Sequence, residues 1–317
     1  MVFLFPMEVV MKVISDLKER LLEQLPAYEI FSEEPLSKHT SFRIGGPAEL
    51  MVFPRNVKEL SQVMKTAHEM GIKPFVLGGG TNVLAPDEGL RGIVIVTKDA
   101  LIGLRLLDET HISAMSGMTL AKTAMFAAQD KLSGLEFAHG IPGTVGGAIY
   151  MNAGAYGGEI KDVAVKTEFM RPDGTVEVFE GGAQGFGYRS SAFQKKDGVI
   201  LRTEFALTPS TEEEVRAKIK ELADRRRAAQ PLELPSAGSA FKRPKTGYAA
   251  ALIDEAGCKG LQVGGAAVSE KHAGFIVNLG GATAADVLAL VKLVRQRVLD
   301  RSGVLLEPEI RLWKNEN

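Results

Sequence analysis

The segment HGIPGTVGGAIYMNAGAYGGE, residues 139 to 159, constrains the fold of this chain more than any other stretch. It contains seven glycines, a single acidic residue and no lysine or arginine. Glycine gives a backbone conformational freedom at an entropic cost, so a dense group of glycines predicts sharp bends or very close approach by another group. The segment therefore predicts an uncharged surface, poor in side chains, inside a folded domain.

The bulk properties favour a protein that binds small molecules. A chain of 317 residues exceeds what one hydrophobic core usually sustains, so two or three domains are expected. The net charge of −1 and the lack of a long basic stripe argue against nucleic acid. The single cysteine, Cys258, excludes an intramolecular disulfide and a cysteine-based metal site, and favours the cytoplasm. No metal site is predicted, because the five histidines show no ligand spacing.

The first residues favour a packing helix over a targeting or membrane segment. MVFLFPMEVVMKV is apolar but lacks a basic start and a cleavage site, and it continues into SDLKERLLEQL with helical spacing. No run reaches the roughly 18 apolar residues of a membrane span. The pattern predicts an amphipathic helix over residues 8–25 and no membrane partner.

A small α/β unit is predicted over residues 40–83. Its apolar alternation is followed by a helix, with Asn56 as N-cap, Glu59 at the capping-box position and Gly71 as the stop. The next strand, KPFVLG, leads into a loop where an open α/β sheet usually meets its ligand. The loop residues are Gly78, Gly79, Gly80, Thr81 and Asn82.

The remaining chain predicts a second and a third domain. Strand-like segments fill residues 92–207, with a hairpin turn at 172–174 and one helix over 119–131 that ends at Gly134. A charged helix with a capping box then connects to a last domain of strands and helices. The predicted boundaries are 1–83, 84–208 and 209–317, and the last strand returns to the first two domains.

The loop GGGTN alone leaves two readings open. It lacks the lysine of a phosphate loop and the third glycine of a dinucleotide fingerprint. It is either a tight turn after a strand or an anion-binding concavity of backbone amides, completed by Thr81 and Asn82. The second glycine segment, with Thr144 and Asn152 as neutral hydrogen-bonding groups, changes the balance. Two separated glycine loops suit a long ligand with a central diphosphate, which is the shape of a flavin dinucleotide.

Six motifs in order carry a resemblance to a known family: HTSFRIGGPAE, LGGGTNVL, GIPGTVGGAIYMNAGAYGGE, YRSSAF, GSAFKRP and LEPEIR. Together they resemble the UDP-N-acetylenolpyruvoylglucosamine reductases over about residues 38–312. YRSSAF continues through QKKDG directly into the strand VILRTEFAL, without the inserted segment that some members have. This resembles the shorter, second type of the family.

The resemblance implies a mixed α/β fold of the vanillyl-alcohol oxidase and p-cresol methylhydroxylase type, with a C-terminal substrate domain. FAD is implied to bind without a covalent link between the two N-terminal domains. NADPH is implied to reduce the flavin, which then gives hydride to the enolpyruvyl methylene carbon. The product is UDP-N-acetylmuramate, a peptidoglycan precursor, and a cytoplasmic monomer is expected.

Three catalytic residues follow from the resemblance. Arg189 in YRSSAF matches the family arginine, and its planar charged group suits the substrate carboxylate and a developing enolate oxygen. Ser239 in GSAFKRP matches the proton donor. Glu309 in LEPEIR matches the third residue, a proton-relay or electrostatic partner. Glu307 is the competing assignment, since alternate residues 305 to 311 share one strand face and only the motif position favours Glu309.

The resemblance also assigns binding residues. The substrate contacts are implied to be Tyr156, Tyr188, Lys242 and Arg243, although many relatives have asparagine where this chain has Arg243. The implied cofactor contacts, on two glycine segments that face each other across FAD, are Gly78, Gly79, Gly80, Thr81, Asn82, Gly140, Ile141, Pro142, Gly143, Thr144, Gly146, Gly147, Asn152 and Ala155.

Two other functions were weighed against this one. An oxygen-using flavin oxidase of the same superfamily would be favoured by a histidine or cysteine placed for covalent flavin attachment, and neither is evident. A non-catalytic nucleotide-binding protein would be expected to lack Arg189, Ser239 or Glu309, and all three are present.

Overall fold

The computed structural model describes residues 7–25 and 29–315, and side chains from residue 13 onward. The helices in these ranges are α1 Met7–Gln24, α2 Val57–Glu69, α3 Leu120–Gln129, α4 Glu136–His139, α5 Val145–Met151, α6 Glu212–Ala229, α7 Ala249–Glu255 and α8 Ala284–Ser302. The strands are β1 Ile30–Pro35, β2 Pro47–Val52, β3 Phe75–Leu77, β4 Val83–Leu84, β5 Leu90–Val96, β6 Leu104–Leu106, β7 His111–Met115, β8 Leu132–Ser133, β9 Gly154–Ala155, β10 Gly158–Glu159, β11 Ala164–Met170, β12 Val176–Glu180, β13 Val199–Ala206, β14 Thr208–Pro209, β15 Ser236–Ser239, β16 Gln262–Val263, β17 Ala266–Val268, β18 Phe275–Asn278 and β19 Arg311–Leu312.

The chain divides into two compact units. The first unit contains 1–32, 49–79 and 92–224, and the second contains 33–48, 80–91 and 225–317. One division between them falls inside the loop GGGTN, after its second glycine. The three-domain boundaries near residues 83 and 208 stay a prediction, because a division into compact units does not test them.

The predicted N-terminal helix is confirmed as α1. Ile14, Leu17, Leu21 and Leu25 are buried, and their spacing of three or four residues places them on one helix face. They share an apolar core with α2 and with the sheet ordered β1-β2-β5-β3. The hydrophobic spacing alone therefore located this helix.

Helix α2 begins and ends at the predicted residues. The Asn56 side chain accepts a hydrogen bond from the Glu59 amide at 3.0 Å, as an N-cap does. The Glu59 carboxylate accepts from the Arg55 amide at 2.8 Å, one residue before the position a strict capping box uses. Gly71 follows the helix with φ +69°, in the left-handed region that glycine enters at little cost.

A five-stranded antiparallel sheet forms the other part of the first unit, in the order β12-β11-β13-β7-β6. The predicted hairpin turn at 172–174 joins β11 to β12, and Gly174 has φ +79°. A second apolar core lies under this sheet and includes residues of α3, α5 and α6. These elements support the glycine segment.

The second unit has its own core around the antiparallel sheet β15-β18-β17-β16. Helix α8 packs on this core through buried residues that include Val287, Leu290 and Val294. Its first turn is capped by Thr283 and Asp286, and the Asp87 carboxylate accepts from two further amides at 2.7 and 3.0 Å. The last strand, β19, pairs in parallel with β4 within the same unit.

The described residues contain neither a membrane-spanning helix nor a cluster of metal ligands. No helix there is long and apolar enough to cross a membrane. In the same part of the chain, no cluster of three or more His, Cys, Asp or Glu side chains is arranged to hold a metal ion.

Candidate active site

The central glycine segment contains a short helix that its glycines hide from sequence analysis. Helix α5, VGGAIYM, has two glycines in its first turn, although glycine weakens a helix by about 1 kcal/mol relative to alanine. Its first amides are held by neighbouring backbone. The amide of Val145 donates to Met118 O at 2.8 Å, and the amide of Gly146 donates to Ser116 O at 2.9 Å. Tertiary contacts thus override the low helix propensity.

Thr144 and Asn152 cap this helix at its two ends. The Thr144 hydroxyl accepts from the Gly147 amide at 3.4 Å. Asn152 is fully buried and takes a left-handed conformation, with φ +43°. Its side-chain amide donates to Glu159 Oε2 at 3.0 Å and to Gly187 O at 2.9 Å. Both amide hydrogens of Asn152 are therefore used by the protein, and its predicted contact with the cofactor stays a prediction.

Several glycines are required because protein groups approach them. A Cβ on Gly78 would lie 2.5 Å from the Thr144 hydroxyl, and one on Gly146 would lie 2.9 Å from Ser116 Cβ. Gly80 has φ +62°, and a Cβ there would overlap the His39 carbonyl oxygen. The two glycine segments thus touch each other directly at Gly78 and Thr144, where the sequence analysis expected the cofactor to separate them.

Gly147 differs from these glycines. It is exposed on α5, and the nearest group to an added Cβ is the Thr144 hydroxyl at 3.6 Å, an ordinary contact. No protein group within the described chain therefore requires glycine here. Glycine nevertheless occupies the position, although it stabilises a helix less than alanine does. Gly147 therefore stays a predicted contact for a bound ligand.

The hydrogen-bond donors around Gly147 fit a large ligand that has an uncharged ring system and an anionic diphosphate, such as FAD. The amides of Gly140 and Ile141 are both bound by Ala138 O, so they are used within the protein. In the described part of the chain, Gly143 and Thr144 are the residues of this loop whose backbone amides donate no such bond. No acidic side chain occurs between residues 140 and 158, so nothing there repels a diphosphate.

The other predicted cofactor residues are divided between the two units. Pro142 is exposed, and Gly79 is half-buried beside Gly78. Asn82 precedes β4, and its carbonyl accepts from the Arg311 amide at 2.9 Å. Thr81 and Asn82 belong to the second unit with Gly80, whereas the remaining predicted cofactor residues belong to the first.

Tyr156 stands at the tip of a tight hairpin. Strands β9 and β10 pair with Ala155 opposite Gly158, and Tyr156 and Gly157 form the two-residue turn, both with positive φ. Two positive φ values at the centre are the signature of a type I′ turn. A tyrosine in this conformation is uncommon, and its side chain is 39% exposed. The hairpin thus presents the predicted substrate residue at the surface.

Arg189 also has a left-handed backbone, with φ +51°. Its guanidinium donates to Gly154 O at 3.2 Å, at the base of the Tyr156 hairpin, and lies 5.1 Å from the centre of the Tyr188 ring. Strained backbone at non-glycine residues concentrates at functional sites. The structure thus brings together three predicted site residues of the first unit: Tyr156, Tyr188 and Arg189.

Side chains that the sequence analysis missed hold the Arg189 loop. The Gln194 amide donates to Arg189 O at 3.0 Å and to Tyr150 O at 2.8 Å, and Ser191 donates to the same Tyr150 carbonyl at 2.8 Å. Asn152 binds the loop at Gly187 O. Gln194 directly follows YRSSAF, and this position next to the motif is the sequence feature that could have identified it.

Glu159 supplies a fixed negative charge near this loop. Its carboxylate pairs with Lys161 at 2.8 Å and accepts from Asn152. The Lys161 contact is the largest cause of a lowered pKa at Glu159, and the positive charge of Arg189 adds to it. Glu159 is therefore ionised near neutral pH and helps to keep the arginine loop in place.

In the second unit, a β-bulge orients Ser239. Ser236 pairs with Val277 and Ser239 pairs with Phe275. An advance of three residues along β15 therefore lies opposite an advance of two residues along β18. Gly238, inside the bulge, has φ +75°. A bulge inserts one residue and redirects the side chains that follow it. Ser239 is exposed, as a proton donor to a substrate must be.

Glu309 lies on the chain segment paired with the one that begins at Ser239. Its amide donates to Ala240 O at 2.9 Å, and the Lys242 amide donates to Glu307 O at 2.8 Å. The Lys242 ammonium forms an ion pair with the Glu307 carboxylate. Glu307 is thus paired with a lysine, and the choice of Glu309 over Glu307 as the catalytic residue stays a prediction.

The loop after Ser239 places the other predicted substrate residue, Arg243. Arg243 is exposed, and its guanidinium lies 4.2 Å from the centre of the exposed Tyr248 ring. This distance is within the range of a cation–π contact. The structure thus brings Ser239, Lys242, Arg243 and Glu309 into one short region of the second unit.

Comparisons with known proteins can now be set beside this geometry. Residues 48–180 match the family profile described as FAD binding domain. Residues 230–313 match the profile described as UDP-N-acetylenolpyruvoylglucosamine reductase, C-terminal domain. A relative of that name from Syntrophomonas wolfei is 42% identical over 93% of this chain and 99% of its own length. The one from Levilactobacillus brevis is 44% identical over 92% and 95%.

The chain belongs to the UDP-N-acetylenolpyruvoylglucosamine reductase family. A crystal structure of such a reductase from Thermus caldophilus matches with a TM-score of 0.74 and 36% identity, over 90% of this chain and 98% of that one. The resemblance stated from the motifs is confirmed, and so are the fold class and FAD as the cofactor. This family of reductases is FAD-dependent, so the chain is an oxidoreductase.

Proposed function

We propose that Arg189, Ser239 and Glu309 perform the family reaction in this chain, the NADPH-dependent reduction of UDP-N-acetylenolpyruvoylglucosamine to UDP-N-acetylmuramate for peptidoglycan. The observation that carries the proposal is the Ala240 peptide. Ala240 directly follows Ser239, and its carbonyl accepts a hydrogen bond from the Glu309 amide. Ser239, the proposed proton donor, and Glu309 are therefore held on paired segments.

The residues around Gly147 would hold FAD. The exposed surface at Gly147 gives room for a flat ring, and the amides of Gly143 and Thr144 suit the diphosphate. Bound there, FAD would supply the redox chemistry, the transfer of hydride from NADPH to the enolpyruvyl carbon. The protein residues must then bind the substrate, stabilise charge and deliver a proton.

Arg189 would stabilise negative charge. Addition of hydride to the methylene carbon of the substrate leaves enolate character next to the carboxylate. A guanidinium is always charged and offers two parallel donors, so it suits both the carboxylate and the enolate oxygen. The bond from Arg189 to Gly154 O places the guanidinium at the base of the Tyr156 hairpin.

Ser239 would give the proton to the carbon beside the carboxylate. A hydroxyl is a weak acid, so it needs a strongly basic acceptor such as an enolate carbon, and a group that returns its proton. Glu309, held by its amide on the paired segment, would be that relay or would stabilise the charge of the transition state. Both residues act at the same carbon in this proposal.

Four residues would bind the nucleotide sugar. Tyr156 and Tyr188 present exposed rings beside Arg189, and Lys242 and Arg243 offer cations for the diphosphate. We further propose a monomer that acts in the cytoplasm without a nucleic acid or membrane partner. NADPH and nucleotide sugars are cytoplasmic metabolites, and the net charge of −1 offers no basic surface.

The test measures flavin reduction and flavin reoxidation separately in the Ser239→Ala variant. Anaerobic NADPH should reduce its flavin at the normal rate, whereas reoxidation by the enolpyruvyl sugar should slow by about 10²- to 10⁴-fold, the usual contribution of a general acid. Ser236→Ala, on the same strand, is the control and should behave like the unaltered protein. Normal reoxidation in Ser239→Ala would remove Ser239 from the donor role.

A further inference from the structure

A tight turn lies directly against the strand that carries Ser239. The turn spans residues 269–275 and closes with a bond from the Ser269 amide to Phe275 O at 2.9 Å. Ser239 pairs with Phe275, and the Ala240 amide donates to Gly274 O at 2.8 Å. The position of the Gly274 peptide therefore fixes where the chain leaves the bulge.

The His272 imidazole holds this turn from inside. Its Nδ1 accepts a hydrogen bond from the Gly274 amide at 3.1 Å, and its ring packs edge-on against the Phe275 ring with centroids 5.0 Å apart. A Cβ on Gly274 would lie 3.0 Å from His272 Cε1. The imidazole thus occupies the space beside Gly274 and binds its amide.

The bond from Gly274 assigns a protonation state to His272. An Nδ1 that accepts a hydrogen bond carries no proton, so the ring is neutral with its hydrogen on Nε2. Burial lowers the pKa of His272, with the nearby Lys259 charge adding to the effect, which agrees with a neutral ring. Neither the catalytic nor the binding assignments use this histidine.

The hydrogen bonds continue from the turn to both proposed catalytic residues. The Gly274 amide binds His272, the Gly274 carbonyl binds the Ala240 amide, and the Ala240 carbonyl binds the Glu309 amide. Ala240 is covalently joined to Ser239. A shift of the turn would consequently move the donor and the acidic residue together.

We propose that His272 is a positioning residue for proton delivery: through its Nδ1 acceptor it fixes the Gly274 peptide, which in turn sets Ser239 and Glu309. The proposal rests on the proposed roles of those two residues. A displacement of about 1 Å at a reacting group can cost about 10²-fold in rate. His272 need not touch the substrate to have this effect.

Two substitutions separate the acceptor atom from the ring. His272→Asn keeps a hydrogen-bond acceptor at the δ position, whereas His272→Gln moves it one bond further along the side chain. We expect His272→Gln to slow flavin reoxidation by the substrate about tenfold or more. His272→Asn should stay within about threefold of the unaltered protein. Flavin reduction by NADPH should be unchanged in both.

Hydrogen exchange gives a readout that does not depend on activity. Amides in residues 236–242, including Ala240, should exchange faster in His272→Gln and normally in His272→Asn. Glu270→Gln, at an exposed residue of the same turn, is the control and should change neither measurement. If His272→Gln does not fold, Gly274→Ala replaces it, because its Cβ would push the imidazole aside.

The outcomes distinguish this proposal from the proposed function. Normal reoxidation and normal exchange in His272→Gln would overturn the positioning role, and so would equal losses in His272→Gln and His272→Asn. Ser239→Ala and Glu309→Gln are measured in parallel. If those two reoxidise normally, the proposed catalytic roles fail, whatever His272→Gln does.

Discussion

The two regions that carry the proposed catalytic residues are built in different ways. The Arg189 loop, residues 187–194, is irregular, and a buried and a partly buried side chain fix it: Asn152 binds Gly187 O, and Gln194 binds Arg189 O. The Ser239 region, residues 236–242 with 307–309, is fixed by backbone bonds between paired segments. One geometry depends on the identity of single side chains, and the other depends on strand pairing.

This difference teaches where substitutions should matter. A backbone bond survives most side-chain replacements, so the Ser239 region should tolerate most changes at residues that do not react; His272, whose side chain binds the Gly274 amide, is the proposed exception. A buried amide that binds two carbonyl or carboxylate oxygens has no substitute, because its loss leaves those acceptors buried and unpaired. The following predictions test this comparison in order of expected effect.

Asn152→Ala should have the largest effect on stability. It removes three hydrogen bonds, to Glu159, to Gly187 O and from the Lys161 amide, and it puts alanine at φ +43°. At about 1 kcal/mol for each bond and about 1 kcal/mol for the left-handed backbone, the free energy of unfolding should fall by about 4 kcal/mol. Urea unfolding measures this loss.

Asn152→Gly is the matched variant, because glycine accepts the positive φ without strain. It should be about 1 kcal/mol more stable than Asn152→Ala. Flavin reoxidation by the substrate should be slow in both variants, since Gly187 O has lost its donor. If either variant unfolds like the unaltered protein, the arginine loop does not depend on side chains in the way described.

Much of both regions could be predicted from the sequence, because it depends on local patterns. The amphipathic spacing located α1, Asn56 and Gly71 marked the ends of α2, and PDG marked the hairpin. The motifs pointed to Ser239 and Glu309, which lie on neighbouring segments of the structure, and their catalytic roles stay a prediction. Each of these features needs only residues that are near in sequence or a shared motif.

The remainder depends on contacts between residues that are distant in sequence. Thr144 was predicted as a ligand contact, but its hydroxyl caps α5, a helix hidden by two glycines. At Gly78 and Gly146 an added Cβ would meet protein groups, so the protein itself requires glycine there, and their contact with FAD stays a prediction. Nothing in a glycine's sequence neighbourhood tells whether ligand or protein approaches it.

Gly146→Ala and Gly147→Ala sharpen that distinction. A Cβ on Gly146 meets Ser116 Cβ at 2.9 Å, so overpacking should destabilise the protein by about 1–3 kcal/mol. A Cβ on Gly147 has room, so the better helix propensity should stabilise the protein without FAD by about 1 kcal/mol. Thermal unfolding of the flavin-free protein measures both.

Flavin binding is the second measurement on this pair. If FAD lies against Gly147, the alanine there should weaken FAD binding about tenfold or more although the protein is more stable, because one displaced contact of 1.4 kcal/mol is a factor of ten. Gly182→Ala is the control, since Gly182 is exposed with open space around a Cβ. Unchanged FAD affinity in Gly147→Ala would mean that the ligand lies elsewhere.

The smallest effect on stability is expected at the ion pair of Lys242 and Glu307. The pair is partly exposed, so Lys242→Met and Glu307→Gln should each change the free energy of unfolding by less than about 1 kcal/mol.

The effects of these two substitutions on the KM for the substrate should differ. Lys242→Met should raise KM about tenfold if the ammonium binds the diphosphate, whereas Glu307→Gln should leave KM unchanged or lower it by releasing the lysine. Lys245→Met, in the same loop, is the matched control for loss of charge. An equal rise in KM for Lys242→Met and Lys245→Met would show that only the general positive charge of the loop acts, and that the paired strands do not aim Lys242 at the substrate.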